Sequence, residues 1–126
     1  QVQHAKALLL SRPFLTRIPD QSLIVSDVGE GTHHIQATRD SAGSYAFVYI
    51  PTGSIMGSRE VELDLSSLAG EQVAAWWYDP RTGASRSGGV LPKQARMTFT
   101  PPFGGPDWVL VLDDAAAGYG PPGKQI

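Results

Sequence analysis

The sequence Trp-Trp-Tyr-Asp-Pro-Arg-Thr-Gly at residues 76–83 is an aromatic strand that runs directly into a tight turn. Pro80 fixes the φ that a type I turn needs, and the Asp79 side chain can accept hydrogen bonds from nearby backbone amides. Gly83 can adopt the positive φ with which the chain leaves such a turn. This stretch therefore predicts a β-strand that is closed by a structured turn.

The same two-residue alternation continues through most of the chain. It is clearest at residues 60–65, where three carboxylates alternate with three aliphatic side chains, so one face is wet and the other buried. A short hairpin loop is predicted at residues 40–43, with Gly43 at positive φ. Short strands without intervening helices are typical of an all-β, antiparallel two-sheet β-sandwich. About eight strands are expected, at residues 22–26, 33–39, 45–50, 60–65, 72–78, 84–87, 96–100 and 108–112.

Length and composition agree with a single β domain. The chain has 126 residues, of which 41% are hydrophobic, and it contains 14 glycines and 10 prolines. This length supports one hydrophobic core and is too short for two ordinary domains. Charged residues make up 17% of the chain, below the usual level of about a quarter.

Charge and hydropathy exclude several classes of partner. A net charge of −2, with ten basic residues scattered singly, does not create the field that gathers phosphate, so we expect no nucleic-acid partner. The longest apolar run, residues 7–10, is far shorter than the roughly 20 residues that span a bilayer, so we expect no membrane insertion. The chain has no cysteine, which excludes disulfides and thiolate metal sites.

The N-terminal segment differs from the rest of the chain. Residues 2–11 contain no glycine or proline and carry apolar residues at helical spacing, which predicts a short helix that Pro13 ends. An extended connector follows at residues 18–21. Either the chain's own sheet or a neighbouring domain must cover the apolar stripe of this helix, and we favour the neighbouring domain.

The two ends of the sequence complete the predicted organisation. The chain begins Gln-Val-Gln-His without an initiator Met, so we expect it to be a piece of a longer polypeptide. The stretch Ala-Ala-Ala-Gly-Tyr-Gly-Pro-Pro-Gly at 115–123 buries little apolar surface, which favours disorder. We therefore expect a helix and linker from a preceding domain at 1–21, a β-sandwich domain at 22–114 and a flexible tail at 115–126.

Four motifs, in this order, resemble one known family. They are Tyr-Ala-Phe-Val-Tyr-Ile-Pro at 45–51, the segment 73–83 with Trp-Tyr-Asp-Pro-Arg-Thr-Gly at its end, Phe-Thr-Pro-Pro at 99–102 and Asp-Trp-Val-Leu-Val-Leu at 107–112. The family is named for the putative collagen-binding domain of a collagenase and occurs as the C-terminal β-sandwich of apiosidase-like bacterial glycoside hydrolases. The first 24 residues also resemble that family's junction with the catalytic barrel.

The resemblance implies a non-catalytic accessory domain that packs on and stabilises the catalytic barrel of a bacterial glycoside hydrolase. The barrel is then the expected partner, and the parent protein is expected to be secreted, periplasmic or on the cell surface. The rival interpretation is an autonomous binding module for a polysaccharide or a collagen-like protein. A stand-alone enzyme of unknown type is a third interpretation.

Residues that could carry catalysis or hold a metal are all explained by ordinary structural roles. Hydrolysis of a glycoside needs two carboxylates across a cleft, whereas the acidic residues here fall on a wet strand face or at turns. His33 and His34 are adjacent in a predicted strand, so their side chains point to opposite faces and cannot chelate one ion together. We expect no catalytic residue, no metal site and no cofactor.

The aromatic strand and its turn hold the candidate binding residues. Alternation puts Trp76 and Tyr78 on one face and Trp77 on the other, so one face is core and the other could offer a flat platform for a sugar ring or a proline-rich strand. A structural role for each tryptophan is favoured over ligand contact. For Arg81, at the tip of the turn, stapling of loops is likewise favoured over a clamp on a partner's carboxylate. The candidate ligand- or partner-contacting residues are Trp76, Trp77, Tyr78, Asp79 and Arg81.

Overall fold

A computed structural model describes residues 2–12, 15–25, 35–51, 60–101, 107–120 and 122. These residues form a short N-terminal helix and eight strands arranged in two antiparallel sheets, which confirms the predicted all-β sandwich. The elements are α1 (Val2–Leu10), β1 (Arg17–Pro19), β2 (Gln36–Asp40), β3 (Tyr45–Pro51), β4 (Val61–Asp64), β5 (Gln72–Tyr78), β6 (Ser85–Pro92), β7 (Arg96–Phe99) and β8 (Asp107–Asp114).

The larger sheet has six strands in the order β1-β2-β3-β8-β5-β6, and β4 pairs with β7 in the smaller one. Strand β8 lies in the middle of the larger sheet, where Val111 is opposite Phe47 of β3 on one side and Trp76 of β5 on the other. The C-terminal strand is therefore hydrogen-bonded along both edges, and it is buried on both faces. Its near-continuous apolar sequence is the one expected for such a strand.

The main core lies between the two sheets. Strand β4 shows why it forms there: Val61 and Leu63 are fully buried, whereas Glu62 and Asp64 alternate with them on the outer face. Burial of these apolar side chains is the dominant stabilising term in the fold. The core also contains Leu23, Ile24, Ile35, Ala37, Ala46, Val48, Ile50, Leu65, Leu68, Val73, Ala75, Trp77, Phe99, Trp108, Leu110 and Leu112.

A second apolar cluster lies on the opposite face of the six-stranded sheet. Leu8 of α1 packs there in a group with Tyr45, Phe47, Tyr78, Val109 and Val111. We expected a neighbouring domain to cover the apolar side of the helix, but Leu8 lies against this chain's own sheet. The reason is that aromatic side chains of β3 and β5 alternate onto this face and need cover of their own.

Two predicted strands differ from the structure. Residues 22–26 were expected to be extended, but Gln21–Leu23 form a 3₁₀ turn and Ile24 makes an isolated bridge to Leu63. Asp20 explains the turn, because its carboxylate accepts hydrogen bonds from the backbone and hydroxyl of Ser22. The sheet begins instead at β1, inside the segment that was predicted to be a linker, where Ile18 is opposite Arg39.

Strand β6 is longer than the predicted segment 84–87. The prediction stopped at Gly88, but Gly88 is the extra residue of a bulge: Trp76 is opposite Ser87 and Ala75 is opposite Gly89. Glycine is common at such a position because it relieves the local kink. Of the strand predicted at 33–39, residues 33 and 34 lie outside the described residues and the remainder is confirmed from Gln36.

Both predicted turns are confirmed. Gly43 has a φ of 84° between β2 and β3, and Gly83 has a φ of 79° before β6. At the second turn the Asp79 carboxylate accepts a hydrogen bond from the backbone N–H of Arg81 at 2.9 Å. These positive φ values are the conformations for which glycine is preferred.

The segment after β8 is partly structured. Ala115–Ala117 form a 3₁₀ turn that the Asp114 side chain caps. Tyr119 then packs edge-on against Tyr45 with ring centroids 6.2 Å apart, a contact that the prediction of a flexible tail did not include. The division of the chain into 1–21, 22–114 and 115–126 stays a prediction. In the described part of the chain, no helix has both the length and the apolar character that crossing a membrane requires.

Candidate functional site

Trp77 lies in the core between the two sheets and is 8% exposed. Its ring packs edge-on against Trp108 of β8, with centroids 6.4 Å apart and an interplanar angle of 80°. This is one of the favoured arrangements of aromatic pairs. The side chain of Trp77 is therefore committed to packing within this domain.

Trp76 and Tyr78 point to the opposite face of β5, as alternation predicts. Tyr78 is 1% exposed in the second cluster, and Trp76 is half-buried at the margin of that cluster. Burial, followed by the nearby charge of Asp79, raises the pKa of the Tyr78 hydroxyl. Both faces of this strand are thus covered, whereas the sequence suggested one buried face and one open platform.

The turn after β5 is held together by its own residues. The Asp79 carboxylate accepts hydrogen bonds from Nε and Nη2 of Arg81, each at 3.1 Å, in addition to the bond from the Arg81 backbone. Burial alone would raise the pKa of Asp79, but these bonds from Arg81 hold it below its ordinary value. Arg81 therefore staples this turn, and its side chain keeps one-third of its surface exposed.

The five candidate residues are brought together, but they do not form an open binding platform. Trp77, Tyr78 and Asp79 are buried, so only Trp76 and Arg81 offer any surface to a ligand. Ligand contact at these positions stays a prediction.

A buried ion pair that the sequence analysis missed lies on the helix-covered face of the larger sheet. Arg12, just after α1, donates from Nε to Oδ1 of Asp113 at 3.0 Å and from Nη2 to Oδ2 at 2.8 Å. Both side chains are almost fully buried. The same guanidinium donates to the carbonyl oxygens of Ser11 and Gly120 and lies 4.8 Å from the centre of the Tyr119 ring. We call this group, Arg12 with Asp113 and Tyr119, the arginine clasp.

Burial decides the electrostatics of the clasp. It raises the pKa of Asp113 above its ordinary value, and the hydrogen bonds and charge of Arg12 offset this only in part. A planar guanidinium suits such a site because it satisfies both carboxylate oxygens at once. The clasp joins the end of the helix, the central strand and the segment after β8.

Arg17 of β1 makes a second attachment of the helix. Its Nε donates to the Tyr45 hydroxyl at 2.7 Å, and its Nη2 donates to the carbonyl oxygen of Leu9 at 2.7 Å. The guanidinium also lies over the rings of Tyr45 and Phe47. A cation at the C-terminal carbonyls of a helix is favourable, because those groups have no partner within the helix.

Two signals in the sequence could have located these arginines. Asp113 continues the alternation of Val109 and Val111, which places a carboxylate on an apolar face that needs a buried cation. Arg12 and Arg17 flank the segment that joins the helix to the sheet. The sequence alone did not reveal that Arg12 and Arg17 both contact the helix-covered face of the larger sheet.

Four further aspartates, Asp20, Asp40, Asp64 and Asp114, serve the fold. Asp20 pairs with Arg39 at 2.7 Å, and Asp40 accepts hydrogen bonds from Thr16 and Ser44. Asp64 and Asp114 accept from backbone amides two residues further along, at Ser66 and Ala116. Within the described ranges, no three histidine or acidic side chains gather as they would around a metal ion. These carboxylates are positioned for capping and pairing.

A comparison with known protein families identifies the family of this chain. Residues 18–113 match the family described as the putative collagen-binding domain of a collagenase. The chain belongs to this family. The match begins within β1, at Ile18, and ends at the aspartate of the clasp.

Solved structures show the same domain within larger proteins. A protein described as a glycoside hydrolase is 33% identical over 90% of this chain, with a TM-score of 0.76. A glycoside hydrolase family 5 protein from Bacteroides vulgatus ATCC 8482 is 32% identical over 94% of this chain, with a TM-score of 0.80. The chain spans 24% of the length of each. No curated protein matches the sequence.

Proposed function

We propose that this chain is the non-catalytic accessory β-sandwich domain of a bacterial glycoside hydrolase and that it packs on and stabilises the catalytic barrel. The observation that carries the proposal is how much of each protein the structural match covers. At least 90% of this chain matches glycoside hydrolases of which it makes up only 24%. The catalytic part of such a protein is then the partner of this domain.

The chemistry of the described residues supports a non-catalytic role. Glycoside hydrolases need two carboxylates about 5 to 10 Å apart on either side of the scissile bond. Here Asp79 is held by its own turn, Asp40 by Thr16 and Ser44, and Asp113 by Arg12. A carboxylate that is already paired in the fold is a poor proton donor or nucleophile for a substrate.

The junction between α1 and the sheet supports a mechanical role. Arg12 and Arg17 attach the end of the helix to the central and outer strands of the larger sheet. A polypeptide that continues from the helix is then held in a defined orientation relative to the sandwich.

The test compares this chain alone, the catalytic part alone and the two joined in one polypeptide. Hydrolysis of a panel of nitrophenyl glycosides measures activity, and the half-life of that activity at elevated temperature measures stabilisation. The proposal predicts no turnover by the chain alone and a longer half-life for the joined polypeptide. Turnover by the chain alone, or equal half-lives with and without it, contradicts the proposal.

We propose also that the parent protein is secreted, periplasmic or on the cell surface, where polymeric glycosides are met. Fractionation of cells that produce the full-length protein tests this. Recovery of the protein only in the cytoplasmic fraction contradicts it.

A second candidate function is binding of a polysaccharide or a collagen-like protein beside the turn at 79–83. The partial exposure of Trp76 and Arg81 favours it, and so does the description of the family. A glycan array and a collagen pull-down with wild type, Trp76→Ala and Arg81→Ala test it. No binding by the wild type to any polysaccharide or to collagen removes this function.

A further inference from the structure

Three leucines near the end of α1 remain on the surface. Leu9 is 45% exposed, Leu10 is 40% exposed and Leu15, in the segment that follows the helix, is 91% exposed. We call Leu9, Leu10 and Leu15 the leucine ridge. Leu8, in contrast, is 5% exposed and packs on the sheet.

The last turn of α1 has apolar side chains on every side. Successive residues of a helix are about 100° apart, so Leu8, Leu9 and Leu10 point in three different directions. A helix that is apolar all round is normally buried on more than one side. The sheet covers Leu8, whereas Leu9 and Leu10 keep 45% and 40% of their surface exposed and are available to a second apolar surface.

The end of the helix that carries Leu9 and Leu10 is anchored to the sheet. The carbonyl oxygen of Leu9 accepts a hydrogen bond from Arg17, and Arg12 attaches the residues after the helix to Asp113. A surface that is ordered before binding loses little conformational entropy when a partner docks. One and two turns earlier, Lys6 and Gln3 are exposed on the same helix, and they supply a polar edge to the apolar centre.

We propose that the leucine ridge is the surface on which the catalytic domain of the glycoside hydrolase docks. This inference rests on the proposed function and names the contact through which that function acts. The matched glycoside hydrolases carry about three-quarters of their length outside this domain, since the chain spans 24% of each. That polypeptide supplies the apolar surface that covers Leu9 and Leu10, with an acceptor group near Lys6 at the rim.

The test replaces Leu9 and Leu10 by Gln together, in the polypeptide that joins this domain to the catalytic part. Glutamine is nearly as good a helix former as leucine and carries no charge, so the helix itself is disturbed little. We expect the half-life of hydrolytic activity at elevated temperature to fall about fivefold or more, as for truncated residues at the centre of an interface. Amide hydrogen exchange of α1 should become faster in the same variant.

Val90→Gln is the matched control. Val90 is 57% exposed on β6, at the opposite edge of the six-stranded sheet from β1. We expect this variant to keep the wild-type half-life within about twofold, because isolated surface substitutions rarely change stability much. Equal losses in both variants contradict a role specific to the ridge.

Each of the remaining outcomes also tests the docking surface or the accessory role. If deletion of this domain shortens the half-life but Leu9→Gln with Leu10→Gln does not, the ridge is not the docking surface, although the accessory role stands. If deletion has no effect, the accessory role itself fails. If the 126-residue chain forms a dimer that this double variant dissociates while the joined polypeptide is unaffected, the occupant is a second copy and the proposal is overturned.

Should the double variant fail to fold, Leu15→Gln decides instead. Leu15 is 91% exposed, so this substitution removes almost no contact within the domain. A shorter half-life in the joined polypeptide with an unchanged Tm of the 126-residue chain supports the proposal. An unchanged half-life overturns it.

Discussion

Arg12 and Asp113 are 101 residues apart in sequence and form a buried ion pair that is joined by two hydrogen bonds. One partner follows the N-terminal helix and the other lies in the central strand of the larger sheet. The pair therefore attaches the end of the helix to the sandwich, whereas the assignment of the helix to a preceding domain stays a prediction. Removal of either partner leaves an uncompensated charge in the interior.

Asp113→Asn is expected to lower the free energy of unfolding by about 3 to 5 kcal/mol, because Arg12 is then buried without a counter-charge. Urea unfolding followed by tryptophan fluorescence measures the loss. Arg39→Ala is the control, since the Arg39–Asp20 pair keeps 19% and 16% of its side-chain surface exposed. Such pairs near the surface contribute about 1 kcal/mol or less.

Replacement of both partners by apolar residues, Arg12→Met with Asp113→Leu, should recover most of the stability that Asp113→Asn loses. A buried ion pair is often no more stabilising than well-packed apolar side chains of similar volume. If Asp113→Asn unfolds at the same urea concentration as the wild type, the pair is not buried as described.

Gly43→Ala should be more damaging than Gly118→Ala. Both glycines have positive φ, but a Cβ at Gly43 would collide with the carbonyl oxygen of Ser67, whereas a Cβ at Gly118 meets nothing within 4 Å. The backbone strain of about 1 kcal/mol is common to both, so the difference between them measures the collision. Thermal unfolding of the two variants checks this, and equal losses would contradict the close approach of the two loops.

Stability should fall in acid. Hydrogen bonds from Ser22 and Arg39 lower the pKa of Asp20; at Asp40 and Asp79, hydrogen bonds outweigh the burial that would raise the pKa. The stability these three groups add is present above the unfolded value of about 3.9 and is lost as the pH falls through their folded pKa values. Asp113 has the opposite sign: its raised pKa stabilises at low pH, and this contribution is lost as the pH rises through the folded value.

Among the described residues, four carboxylates have a lowered pKa, namely Asp20, Asp40, Asp64 and Asp79, and Asp113 has a raised one, so we expect a net loss of unfolding free energy between about pH 5 and pH 2. Asp79→Asn should make this loss smaller, because it removes one of the carboxylates with a lowered pKa. Urea unfolding at a series of pH values measures how the unfolding free energy changes with pH in the wild type and in the variant. A steeper slope in the variant would show that the Arg81 contact does not lower the pKa of Asp79.

Trp77→Ala should cost about 3 to 5 kcal/mol, because it removes a buried ring that packs against Trp108. Trp76→Ala should cost less, since Trp76 is only half-buried at the margin of its cluster. The comparison is made by urea unfolding with near-ultraviolet circular dichroism as a check on packing. A larger loss for Trp76 than for Trp77 would reverse the assignment of the two faces.

The sequence was sufficient for the sheet architecture and the turns, because these depend on local patterns. The alternation at residues 60–65 and the positions of Gly43 and Gly83 follow from the rules of a pleated strand and a tight turn. The 3₁₀ turn at Gln21–Leu23 was missed, because the side chain of Asp20 overrides the extended pattern there. The second half of β6 was also missed, because the bulge at Gly88 interrupts the regular alternation of the strand.

The candidate site was predicted less well, because burial depends on contacts between distant parts of the chain. Alternation assigned Trp76 and Trp77 to opposite faces, but it could not show that α1 and Tyr119 cover the second face. The partners of Arg12 and Arg17 likewise come from strands far along the sequence. Long-range pairing of this kind is not encoded in any short window of sequence.

The most direct test of the accessory role is calorimetric unfolding of the catalytic part with and without this domain attached. We predict that the attached domain raises the Tm of the catalytic part by several degrees and that the two unfold in one coupled transition. Two independent transitions, with the Tm of the catalytic part unchanged by the domain, would contradict the account.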